Sequence, residues 1–368
     1  VTRIKVNIKN IEWAFKTTDV SDEKKQQVLE DSKWLNKDQK NFLNPTLNQL
    51  ENFAKHFHVP FGFLLLKKIP EQQSIKLAFR TKENVPAKVG LNVRSVIYEM
   101  QRKQAWFKEE SGYIESKLNF IGSLSGCNDI NKVVETLNTL IELHHFKTPR
   151  ELLNDLRRQI AFSGVLVMQK GGAGLGTNRP LKVEEVRAFT LLDDHAPLIF
   201  LNQKDSYTAR IFSLVHEFIH ILRGTDEFLM GINYDIEEER FINNATGKFF
   251  MPDEMFKKKV NEQGIEAAAN YFNVPRYAAA IQAKNLNLIK YLDENYCLED
   301  QKSIRSNNSG GNPYNKALSY NDERFTAALF DSERNGNLQP TEAASLLGVS
   351  TKMFYQTMDL FDEREAIL

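Results

Sequence analysis

Two histidines four positions apart, His216 and His220, bracket a glutamate in the run Arg210–Gly224, R-I-F-S-L-V-H-E-F-I-H-I-L-R-G. The spacing fits the H-E-x-x-H pattern: on a helix, positions i and i+4 share one face, so both imidazoles can aim a ring nitrogen at a single metal ion. Glu217 then reaches a water at that metal rather than the metal itself, which makes it a candidate general base. The surroundings supply the helix this chemistry demands. Asp205 or Ser206 can cap its start, Ile211, Val215, Phe218 and Leu222 recur at helical spacing, and Gly224 stops it. The helix is apolar nearly all round, so it is expected to be buried. Burying two imidazoles and a carboxylate is costly unless something satisfies them, and a divalent cation does so.

Such a cation needs a third protein ligand. The next helical pattern, Ile236–Phe250, opens with Glu237, Glu238 and Glu239, and chemistry alone does not choose among three adjacent carboxylates. Periodicity favours Glu239, which shares a face with Ile242, Asn243, Thr246 and Phe250. Glu237 and Glu238 fit a solvated acidic helix start, favoured by the helix dipole. Tyr234 and His195 are the candidates for oxyanion help beyond the metal.

The elements that position these groups are short. Val165–Met168, Val186–Leu191 and Pro197–Leu201 read as three strands leading directly into the histidine helix. A sheet edge beside a metal can align an extended peptide by strand addition. Helical patterns precede them over 130–143 and 149–160. Gly171, Gly172, Gly174 and Gly176 form a mobile loop whose spacing does not give a phosphate-binding fingerprint.

Towards the N-terminus, 8–70 reads as short helices with Trp13 and Trp34 in a small core and an apolar docking run at Phe61–Leu66. An extended connector at Lys76–Thr81 and a long bracing helix over 93–115 follow. Beyond Pro252 the chain is helical. Two segments, 264–277 and 340–354, look like helix–turn–helix steps, separated by a Ser-, Asn- and Gly-rich linker at 303–315. Neither second helix has a basic excess, so packing is favoured over DNA contact. The expected fold class is α+β. The expected domains are a small helical domain over 1–75, which the family resemblance given below makes a degenerate helix–turn–helix-like domain, a connector with the bracing helix over 76–125, a metal-site domain over 126–255, which the same resemblance makes a metallopeptidase, and a C-terminal helical region over 256–368.

The 368-residue chain balances 48 basic against 48 acidic side chains, which gives no whole-molecule argument for nucleic-acid binding. Cys127 and Cys297 sit in no C-x-x-C motif and read as reduced residues. No apolar run is long enough to span a bilayer and no signal-like segment opens the sequence, so a cytoplasmic location without membrane partners is expected.

His216-Glu-Phe-Ile-His220 with Pro197-Leu-Ile-Phe-Leu-Asn202 upstream and Glu239-Arg-Phe-Ile-Asn-Asn-Ala-Thr-Gly-Lys-Phe-Phe-Met-Pro252 downstream resembles the ImmA/IrrE metallopeptidases. Pro45–Ala54, Val59–Phe63, Phe79–Thr81 and Thr341–Val349 are similar to the long members, which carry an XRE-type helix–turn–helix region ahead of the peptidase. The resemblance implies a zincin-like fold and Zn²⁺ held by His216, His220 and Glu239. It implies Glu217 as the base and Asn243 as support for the ligands from the same helix. It also implies a zinc endopeptidase that cleaves a helix–turn–helix repressor or a similar regulatory partner. Other members, encoded beside toxins, imply the alternative of an antitoxin or regulator that acts by binding a protein or DNA with a dormant peptidase domain.

Overall fold

The computed structural model describes residues 3–17, 22–35, 42–57, 59, 61–66, 90–110, 117–174, 179–225, 236–293, 296 and 312–366. The expected connector at 76–81, Gly176, Tyr234, Cys297 and the 303–311 part of the expected linker lie outside the described residues. The chain divides into two units, Val1–Ile75 with Lys88–Ser95 and Lys76–Ala87 with Val96–Leu368.

In the first unit, helices α1 (Ile8–Thr17), α2 (Asp22–Asp31), α3 (Leu47–Phe57) and α4 (Phe61–Leu65) accompany a pair of two-residue strands. These strands, β1 (Val6–Asn7) and β2 (Phe42–Leu43), pair antiparallel. The apolar faces of the helices close over Ile11, Ala14, Trp34, Leu50, Phe53, Phe57 and Leu64. Of the run at 61–66, Leu64 belongs to this core, whereas Leu65 and Leu66 are exposed. Leu64 is fully buried, and Asn10 Nδ2 reaches the carbonyls of Phe63, Leu64 and Leu66 at 2.8–3.3 Å, satisfying the orphan acceptors at the end of α4.

The boundary between units falls within α5 (Leu91–Glu110). The second unit continues through α6 (Ile130–Leu140) and α7 (Pro149–Phe162) to strands β3 (Leu166–Lys170), β4 (Ala188–Leu191) and β5 (Leu198–Asn202). Helices α8 (Tyr207–Arg223), α9 (Ile236–Phe250), α10 (Asp253–Tyr271), α11 (Arg276–Asn285), α12 (Pro313–Tyr320), α13 (Glu323–Arg334), α14 (Pro340–Leu347) and α15 (Thr351–Glu365) follow. The second unit is a mixed α+β arrangement around a small three-stranded sheet. Among the described residues no helix is long and apolar enough to cross a membrane.

Every residue of β3, β4 and β5 is buried, as their mainly aliphatic and aromatic side chains require, and the polar Gln169, Lys170, Thr190 and Asn202 are buried with them. The strand order is β3-β5-β4, with β3 parallel and β4 antiparallel to the central β5. Helix α8 packs on β4 and β5, and α7 packs on β3 and α8. The start of α7 follows from sequence: Thr148 and Glu151 form a reciprocal capping box, with Pro149 in the first turn. The glycine-rich tract is tied at its base, where Ala173 N donates to Arg179 O at 2.8 Å and Leu181 N to Gly171 O at 3.1 Å. The described ends thus form a paired stem.

The outer edge of β3 is closed by side chains. Asp322 Oδ2 accepts from Val167 N at 3.0 Å, while Arg157 and Arg324 donate to the carbonyls of Val167 and Val165 at 3.3 and 2.9 Å. The opposite edge, β4, has no strand partner beyond β5 among the described residues.

Candidate metal centre

Helix α8 is specified at both ends. Ser206 is the cap, its hydroxyl accepting from Ala209 N at 3.1 Å, whereas Asp205 pairs with Arg187 at 3.1 Å. At the other end Gly224 takes the left-handed conformation (φ 66°). A Cβ at Gly224 would stand 3.1 Å from Gly122 Cα, so the backbone approach itself demands glycine. That approach lets Gly122 N and Leu124 N donate to the carbonyls of Ile221 and Leu222 at 3.0 and 2.8 Å. The carbonyl end of α8 is therefore satisfied by the 117–128 segment.

His216, Glu217 and His220 are all buried on this helix, at 6, 4 and 3% exposure. The opening turn of α9 sorts its three carboxylates: Glu237 is exposed, Glu238 half-buried and Glu239 buried. Glu239 Oε2 lies 3.4 Å from His216 Nε2 and Oε1 lies 3.2 Å from His220 Nε2, with the two Nε2 atoms 3.2 Å apart. Among the described residues these three form the one group able to hold a metal ion.

The electrostatics follow from the packing. Burial disfavours charge on His220, yet the hydrogen bond and charge of Glu239, joined by Glu217 and Glu238, outweigh it and raise its pKa. Burial also works against an ionised Glu239, but the two imidazoles hold its carboxyl far below the usual range. His220 Nδ1 is 2.8 Å from the Thr225 hydroxyl, which itself lies 3.4 Å from the His220 carbonyl. With the hydroxyl proton on that carbonyl, Nδ1–H is the donor, which leaves Nε2 as the ring atom that points at the cluster.

The donor set fits a metal. Bonds of about 2.0–2.1 Å in a tetrahedron place ligand atoms roughly 3.3–3.4 Å apart, close to the observed edges. Two imidazole nitrogens and one carboxylate are a zinc set that leaves a fourth position open.

Glu217 is tied to the sheet. Its Oε2 accepts from the Thr190 hydroxyl on β4 at 2.8 Å. Asn243 lies one turn after Glu239, and its buried Oδ1 has no hydrogen-bond partner among the described residues. His195 stands in the β4–β5 turn, with Nδ1 3.9 Å from Asp193 Oδ1, outside the grouped ligands. Glu238 departs from the solvated reading. It forms a two-toothed ion pair with buried Arg223, Nη2 to Oε2 at 2.7 Å and Nε to Oε1, because Arg223 leaves α8 one turn after His220 and meets α9 there.

Sequence reasoning passes over Thr190, Thr225 and Arg223. A lone hydroxyl in an otherwise apolar buried strand and a cation in an apolar helix are the signals that mark the first and last. Thr225 carries no such signal.

Residues 176–284 match a family model, Peptidase_M78, described as the IrrE N-terminal-like domain. The matched stretch runs from just before β4 into α11 and includes His216, Glu217, His220 and Glu239. It aligns this part of the chain with the metallopeptidase-type domain of the ImmA/IrrE family; the N-terminal segment lies outside it. No curated protein and no solved structure matches the chain.

Proposed function

We propose that the chain is a zinc-dependent endopeptidase with a zincin-like active site, acting on a helix–turn–helix repressor or a similar regulatory protein. The observation that carries this reading is the convergence of His216 Nε2, His220 Nε2 and the Glu239 carboxylate at 3.2–3.4 Å, with Glu217 on the same helix. Zinc held there supplies a Lewis acid and, at neutral pH, a nucleophilic water.

The remaining work belongs to the protein. Glu217 accepts the proton of the attacking water at its carboxylate and returns it to the departing amide nitrogen. Thr190 holds the Glu217 side chain from β4, so base and strand are fixed to each other. An extended substrate pairs along β4, the edge without a neighbouring strand among the described residues, while β3 is closed by Asp322, Arg157 and Arg324. The buried walls of α8 and the sheet keep bulk water from the cluster.

A protein partner is favoured over DNA. On α15, Asp359, Asp362 and Glu363 share the exposed surface with Lys352 and Arg364, and Tyr355 and Gln356 are engaged by Glu333 and Tyr314. A helix meant to read DNA needs a basic excess and free polar side chains.

The test compares wild type with Glu217→Gln against any helix–turn–helix repressor encoded by a neighbouring gene and against a peptide library read by mass spectrometry. Wild type cuts in a zinc-dependent manner, and E217Q retains the zinc but loses cleavage by at least about 100-fold. Equal cleavage by the two proteins overturns the mechanism. Repressor or toxin capture without cleavage by wild type overturns the peptidase reading in favour of a binding role.

A further inference from the structure

Glu239 enters the cluster from a different helix than the histidines, so something must fix the opening turn of α9 against the end of α8. In that turn Ile236 and Glu237 are exposed, and the deeply packed positions of α9, Ile242, Ala245 and Phe249, come later. The contact at the right place is Arg223. It lies three residues after His220, which puts it one turn further along the same helix on a neighbouring face.

All donor edges of its guanidinium are used. Nε and Nη2 hold the two Glu238 oxygens, the latter at 2.7 Å. Nη1 donates to the carbonyls of Cys127 and Leu124 at 2.5 and 3.4 Å. The guanidinium carbon also sits 4.6 Å from the centre of the Phe241 ring, on the next turn of α9. The side chain is 5% exposed.

Resting on the zinc-site reading above, the geometry points to Arg223 and Glu238 as a positioning clamp that sets the direction of Glu239. Glu238 and Glu239 are consecutive helical residues, so their side chains leave the axis about 100° apart. Fixing the carboxylate of Glu238 on a rigid fork therefore fixes the helical phase of α9, and with it the approach of Glu239 to His216 and His220. A lysine cannot replace the arginine. It is a single point charge and cannot hold two carboxylate oxygens and two carbonyls in one plane.

The simpler alternative is an ion pair that stabilises the fold without tuning the site. The two are separated by measuring zinc affinity and metal-free stability independently on the full-length chain. Zinc would be titrated against a chromophoric chelator for wild type, Glu238→Gln, Arg223→Lys and a control, Lys248→Gln. The control breaks the Lys248–Asp253 pair at the far end of α9.

The clamp predicts that E238Q and R223K weaken zinc binding by roughly 10- to 100-fold, the range for groups that orient metal ligands. The double variant should be no weaker than the worse single, because both remove one interaction. Cobalt(II) bound in place of zinc should show a changed visible spectrum in E238Q and an unchanged one in K248Q. Should R223K fail to fold, E238Q decides. Folded E238Q with wild-type zinc affinity and cobalt spectrum overturns the clamp, whatever its melting temperature. A wild-type protein that takes up no zinc overturns the underlying site reading instead, and is recognised before any variant is made.

Discussion

The hydroxyl of Thr190 offers the sharpest probe of how the candidate base is held. Thr190 is fully buried on β4, and its Oγ1 donates to Glu217 Oε2 at 2.8 Å. Thr190→Val keeps the branched shape and removes only that donor. A hydrogen bond to a charged acceptor contributes about 1.5–3 kcal/mol, and the buried carboxylate loses that donor. For a unit of this size each kcal/mol moves the melting temperature by roughly 2–4 °C, so T190V should melt about 3–12 °C lower. Zinc content should be unaltered, since Thr190 touches none of the three ligand atoms. Cleavage should fall with the loss of a fixed base. Thr190→Ser, which retains the hydroxyl and sheds a methyl, should keep cleavage while losing about 1 kcal/mol to the small cavity. Circular-dichroism melts at neutral pH, with zinc measured on the same samples, check this. An unshifted melt in T190V would refute the hydrogen bond as a structural element. Loss of zinc would show that Thr190 supports the ligands and not the base.

Gly224→Ala should cost at least about 1–2 kcal/mol for a left-handed alanine, with a further penalty because its Cβ would meet Gly122 Cα at 3.1 Å. Melting curves and chelator competition should show lower stability together with weaker zinc uptake, since this cap lies between Arg223 and Thr225. Lys103 gives a pH signature. Burial, with the nearby Lys170, lowers its pKa from 10.5 to about 8 despite the opposing pull of Glu99. Between those values the unfolded chain keeps a proton that the folded chain has released, so stability rises with pH across that window. Relative to Lys103→Met, wild type should gain up to about 3 kcal/mol between pH 8 and 10.5 in denaturant titrations. A difference that stays flat or narrows the other way would contradict the buried-charge assignment.

Why some of this was legible from sequence and some was not has physical reasons. The pairing of His216 with His220 is local, because helical spacing alone places them on one face. Glu239 is legible for the same reason, since its face carries Ile242 and Phe250 into the core. Buried apolar runs announce all three strands. What escapes are contacts between elements. Thr190 meets Glu217 across a strand-to-helix gap of 27 residues, and no periodicity encodes that. Glu238 reads as solvated because acidic residues favour helix starts. Its true partner, Arg223, is visible only once α8 and α9 lie side by side. The side chains of Asp322 and Arg324 that close the β3 edge come from more than 150 residues downstream, and the pairing of β1 with β2 rests on strands too short to carry a pattern.

The central claim is that His216, His220 and Glu239 hold one catalytic zinc ion. Its most direct test is elemental analysis of the full-length chain after zinc loading and exhaustive dialysis. The account predicts about one zinc per chain in wild type and in E217Q, and almost none in His216→Ala, His220→Ala or Glu239→Ala. A wild-type chain that retains no zinc, or alanine variants that keep all of it, would contradict it.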